Sequence, residues 1–136
     1  MDITLAQAQA AIEAALEKAT DMKLKMNIAV VDSGANLVAF ARQDGAWLGS
    51  TDISIKKAKT AVFFQMPSAE IGKLSQPGES LYQIEVSNGG LISFGGGFPI
   101  LNKKKEQIGA IGVSGAAVKD DEIVAKAGRD AVAGKS

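Results

Sequence analysis

Near the start of the chain, apolar side chains recur at helical spacing, with Leu5, Ala8, Ile12, Ala15, Leu16 and Ala19 forming one stripe. Thr4 followed by Gln7 has the pattern of a capping box, so a helix is predicted to open there and to end between Lys18 and Asp21. The pattern then shortens to two strand-like runs, Asn27 to Asp32 and Leu37 to Arg42. They flank Ser33-Gly34-Ala35-Asn36, whose Gly and Asn tolerate positive φ, and this predicts a hairpin. Helical spacing returns from Ser50 to Phe64, with Ser50 or Thr51 as cap and Asp52 in the first turn. At ~100° per residue Ile55, Ala58 and Val62 fall on one side, and Ile53, Lys57, Thr60 and Phe64 near the other. One side is expected on a sheet, and the other against a ligand, a second subunit or another layer of the same fold.

Pro67 and Pro77 punctuate the middle, with a short helix expected between them over Ser68 to Leu74 and an ordered loop from Pro77 to Ser87. Beyond the Asn88-Gly89-Gly90 turn, strands are expected over Leu91 to Phe94, Phe98 to Leu101 and Gln107 to Val113. Gly95-Gly96-Gly97 breaks the first two, and Asn102 to Glu106 forms a charged hairpin tip. Gly109 and Gly112 within the last strand imply close approach of another backbone or a ligand. A final helix runs from about Val118 to Ala133, with Asp120, Asp121 and Glu122 at its positive end and Gly134 after it. This order lacks the βαβ alternation of a parallel sheet. The expected fold is α+β, one domain over residues 1–136, with an antiparallel sheet of about five strands flanked by helices.

The chain is 136 residues long, and 15 basic side chains balance 15 acidic ones. That balance argues against nucleic acid as a main partner, because phosphate binding needs several clustered cations. Cysteine and histidine are both absent. Ser-His-Asp and Cys-His catalysis, the usual zinc sites and disulfides are thereby excluded, together with the two commonest protein ligands of haem iron. No apolar run approaches the ~20 residues of a membrane span, and Met1 to Leu5 lacks the character of an export signal, so a cytoplasmic protein is expected.

Three successive glycines favour a sharp bend or a close approach, and their amides could form an anion-binding nest; no phosphate-loop Lys-Ser/Thr follows them. Ser114 lacks a histidine to activate it. Asp32, Asp44 and Asp121 are possible acid/base groups that no spacing pairs; a strand end suffices to explain Asp32, and a helix dipole Asp121. Lys57 and Thr60, one helical turn apart and on a face with Phe64, join Arg42 in a set that suits an apolar ligand bearing a carboxylate, or a subunit interface.

The segments Arg42-Gln43-Asp44-Gly45-Ala46, Lys57-Ala58-Lys59-Thr60-Ala61, Gly95-Gly96-Gly97-Phe98-Pro99-Ile100 and Gly109 to Ala116 occur in order, after Val30-Val31-Asp32-Ser33-Gly34 and Leu37 to Phe40. In these the chain resembles the family of small haem-degrading or haem-binding proteins that includes the glycolate-operon accessory protein and a streptomycete haem-binding protein. The family is related to the C-terminal domain of propanediol-utilisation corrinoid adenosyltransferases. The resemblance implies a profilin-like or roadblock-like sheet, assembly into homo-tetramers or homo-octamers, and a pocket near subunit contacts in which some members bind haem. Relatives often carry a histidine where this chain has Asn36. The expectation is an oligomeric small-molecule-binding protein, with haem or a related carboxylated ligand held by Arg42, Lys57, Thr60, Phe64, Gly95, Gly96, Gly97 and Pro99 and no metal ligand among them. The alternative is a cofactor-independent enzyme performing proton transfer or a lyase step on a small organic acid in the same pocket.

Overall fold

A computed structural model describes residues 2–135. The elements follow in the order α1 (Leu5–Asp21), β1 (Asn27–Asp32), β2 (Leu37–Arg42), α2 (Gly49–Phe64), α3 (Ser68–Leu74), a 3-10 turn (Ile84–Val86), β3 (Gly97–Leu101), β4 (Gln107–Ser114) and α4 (Val118–Asp130). The predicted capping box is present: the Gln7 amide N–H donates to Thr4 Oγ1 at 3.1 Å and the Thr4 N–H to Gln7 Oε1 at 2.9 Å. The first hairpin is held by Asp32, whose Oδ1 accepts from the Gly34 and Asn36 amides at 2.9 Å each. Its turn structure accounts for Asp32 without a catalytic role.

The strands form one antiparallel sheet in the order β2-β1-β4-β3. Helices α1 and α4 pack together on one face and α2 covers the other. Alternation along the central strands divides the core accordingly. Ile28, Val30, Ile111 and Val113 join Ile12, Ala15 and Val124 on the first side, whereas Val31 and Ala110 meet Ala58, Ala61 and Val62 on the second.

The sheet has four strands rather than about five. Leu91 to Phe94 is not a strand, because its backbone groups bond elsewhere: the Leu91 N–H donates to Glu85 O at 2.9 Å, the Ile92 N–H to Thr60 Oγ1 at 3.2 Å, and Phe94 O accepts from Ser68 Oγ at 2.8 Å. With those groups bonded to a turn and two helices, no ladder partner is needed. A second difference lies in α2, whose buried residues are Ser50, Ser54, Lys57, Ala58, Thr60, Ala61 and Val62, while Ile53 and Ile55 remain half-buried. The small side chains matter because α2 lies almost directly on β4. A Cβ at Gly112 would overlap the Ser54 carbonyl oxygen and sit 2.6 Å from the Ala58 nitrogen. The backbone anticipated at the strand glycines is that of α2 at Gly112 and that of β1, through the Val31 carbonyl, at Gly109.

Candidate functional site

Packed this closely, α2 turns Lys57 inward, and its side chain is fully buried. The Nζ donates to Val113 O at 2.8 Å and to Asp121 Oδ2 at 2.9 Å, and it lies 4.9 Å from the centre of the Phe94 ring. Asp121, 2% exposed, comes from the first turn of α4, and its Oδ1 accepts from the Ala116 N–H at 3.0 Å. Burial lowers the Lys57 pKa below its usual value, although Asp121 and Glu122 pull the other way. Burial likewise raises the Asp121 carboxyl, against the opposing pull of Lys57 and of the Ala116 and Gly115 amides. The pair is dry, and each partner's desolvation outweighs what its neighbour returns.

The three glycines wrap this pair. A Cβ at Gly96, where φ is +127°, would lie 2.6 Å from Val113 O and 2.7 Å from Lys57 Nζ; at Gly95 it would meet the Glu122 carboxylate at 2.6 Å, and at Gly97 it would overlap the Lys57 carbonyl oxygen. Ser68 ties the wrap to α3 by accepting from the Gly97 N–H at 2.9 Å while it donates to Phe94 O. Thr60 holds the preceding segment through Ile92 and donates to Lys56 O at 2.7 Å.

Lys57, Thr60 and Gly95 to Gly97 are therefore brought together, as interior structure. The other expected site residues lie elsewhere. Arg42 is exposed on the edge strand β2, in an open depression of about 610 Å3 with Leu16, Thr20 and Lys23. Phe64 is half-buried at the end of α2. Pro99 lies on β3, at the opposite edge of the sheet, and lines a cleft of about 490 Å3 with Pro67, Phe98, Leu101, Lys105 and Arg129. There Arg129 stacks on Phe98 at 5.1 Å and Lys126 approaches the same ring at 5.6 Å. Ser68, Phe98 and Arg129 are not among the expected site residues, and Asp121 enters the sequence reading only as a possible acid/base group without a partner. The acidic first turn of α4 was visible, but nothing in it named a partner 64 residues away.

A four-stranded antiparallel sheet between a lone helix and a helix pair, with one buried ion pair under a glycine wrap, defines a small α+β domain. The chain belongs to the haem degrading protein HbpS-like family, whose sequence model matches residues 3–130. It is 39% identical over 129 residues to a 15.0 kDa protein from the dhaT-dhaS intergenic region of Citrobacter freundii, covering 94% of this chain and 90% of that one. It is 32% identical over 114 residues to the corrinoid adenosyltransferase PduO of Salmonella typhimurium, covering 83% of this chain but only 34% of PduO. Among solved structures, Klebsiella pneumoniae ORFY superposes with a TM-score of 0.92 at 39% identity, over 96% of this chain and 90% of that one. The PduOC:haem complex superposes with a TM-score of 0.91 at 28% identity, over 97% and 96% of the two chains. Among the described residues no helix is long and apolar enough to cross a membrane.

Proposed function

We propose that this protein is an oligomeric small-molecule-binding protein whose ligand is haem or a related flat, apolar molecule bearing carboxylates. The observation that carries this reading is its near-complete superposition on the domain of the PduOC:haem complex. The cleft beside β3 suits the organic part of such a ligand, with Pro67, Pro99 and Leu101 as apolar walls and Lys105 and Arg129 as cations. Iron is served less well. The chain has neither histidine nor cysteine, and no group of three or more carboxylates among the described residues is placed to hold a metal ion.

Within this reading Pro99 lines the ligand cleft. Lys57, Thr60, Gly95, Gly96 and Gly97 set the position from which β3 starts, and Arg42 and Phe64, lying away from the cleft, receive no ligand contact. The Lys57 Nζ, fully buried and bonded to Val113 O and Asp121 Oδ2, is out of reach of a substrate and does not serve as the base that a proton-transfer enzyme would need. A homo-tetramer or homo-octamer is the assembly that family resemblance supports.

A native mass spectrum of the protein, before and after addition of haemin, tests the reading. An even-numbered assembly retaining haemin in fixed stoichiometry is expected. An assembly that retains none overturns haem as the ligand, and a monomer overturns the oligomer.

A further inference from the structure

The β3 cleft has the chemistry to grip a ligand by its carboxylate and its flat face. Arg129, from the last turn of α4, is positioned by the buried Phe98 ring 5.1 Å away, and its side chain keeps 31% of its exposure. Its Nε donates to the neighbouring Asp130 at 2.9 Å, which uses one of the five guanidinium donors. The planar fork that remains matches a carboxylate edge-on. Lys105 stands at the tip of the β3–β4 turn, held by a positive φ of 66°, and adds a second cation against the single acid, Asp130, in the lining. The apolar part of the lining includes Pro67, Pro99 and Leu101. Pro99 also removes a backbone donor from an edge strand, which disfavours an added peptide strand as occupant.

No residue lining this cleft is a histidine, cysteine, methionine or tyrosine, the side chains that commonly hold haem iron, and Lys105 serves the ligand's carboxylate as a cation, a form with no lone pair for iron. We infer that recognition here is indifferent to metal: Arg129, with Lys105, binds a ligand carboxylate while the ligand's planar body lies against Pro99 and Leu101. A dicarboxylate porphyrin then binds equally well with and without iron. This deepens the proposed binding function and rests on it for the porphyrin, though not for the carboxylate.

The test is a titration of the intact protein, by intrinsic fluorescence and by amide NMR shifts, with four probes: haemin, metal-free protoporphyrin IX, its dimethyl ester and 2-naphthoate. Haemin and protoporphyrin IX should agree within about threefold, and the ester should bind about tenfold more weakly, the scale of a lost charge-assisted hydrogen bond. Arg129→Gln should weaken both acids by about tenfold and leave the ester unchanged, and Lys105→Gln should act in the same direction to a smaller extent. Haemin binding about 30-fold more tightly than the metal-free acid would show that iron ligation decides affinity, and would overturn the inference. Equal binding of acid and ester, or acid binding indifferent to Arg129→Gln, would also overturn it while leaving haem as ligand intact. If no porphyrin binds, 2-naphthoate separates the two ideas. Arg129-dependent shifts at Phe98 support the carboxylate cleft although the haem reading falls, and their absence overturns both.

Discussion

Lys57 and Arg129 are both cations set against a phenylalanine ring and paired with an aspartate, yet they stand in opposite environments. Lys57 and Asp121 are 0% and 2% exposed, whereas Arg129 and Asp130 keep 31% and 64%. In the first pair both charged side chains are enclosed, and removing one partner strands a charge where water cannot reach it. In the second, solvent screens the pair and leaves donors free for something else. The same kind of contact is structural in the interior and available for binding at the rim.

The largest separation between the two regions should come from Lys57→Ala, which leaves Asp121 buried and unpaired. We expect a loss of about 3–5 kcal/mol in urea unfolding. The joint replacement Lys57→Met with Asp121→Leu should recover most of it, and a single-variant loss below about 1 kcal/mol would mean that the pair is not as dry as described. Next comes Gly112→Ala, which thrusts a methyl group into the Ser54 carbonyl and should cost about 1–3 kcal/mol by pushing α2 off the sheet. An unchanged unfolding midpoint would contradict that packing.

The pH dependence of the interior pair has a definite sign. Burial lifts the Asp121 carboxyl above its ordinary 3.8, so the native chain takes up this proton at pH values where the unfolded chain has released it. The contribution of Asp121 to stability therefore grows as pH falls toward 3.8 and is lost as pH rises through the native value. Lys57, lowered from 10.5, gives up its proton first in the native state, and its contribution grows as pH rises toward 10.5. The stability of the unaltered chain relative to Asp121→Asn should thus increase on acidification from neutrality, as read from urea midpoints at several pH values. The opposite trend would mean that the pair's attraction outweighs its desolvation. The smallest stability effect is expected from Arg129→Gln, within about 0.5 kcal/mol, because the side chain is partly solvated and its ion pair exposed. A larger loss in thermal or urea unfolding would give Arg129 a structural role like that of Lys57.

Much of the fold was legible because its signals are local. Thr4 with Gln7 marked the start of α1, and Asp32 to Asn36 marked the hairpin, since both are closed by hydrogen bonds within a few residues. Leu91 to Phe94 reads as a strand and is not one, for the converse reason. Its composition suits a strand, but its backbone partners are Glu85, Thr60 and Ser68, chosen by how α2 and α3 pass it. The candidate site was legible as residue types and illegible as a place. Lys57, Gly96 and Pro99 stood out by type, but the chain puts the first two in the interior and the third on the edge of the sheet.

The helices, the first hairpin, the antiparallel class of the sheet and the absence of imidazole and thiol chemistry are written in short stretches of the chain, because caps, periodicity and composition act over a turn or two or over none. That Lys57 meets Asp121 across 64 residues, that Gly112 lies under α2, and that Arg129 and Pro99 share a cleft emerges with the packed fold. Those meetings depend on strand order and on which helix covers which face. Both are set by burying the whole sheet at once, and no short stretch of chain encodes that outcome.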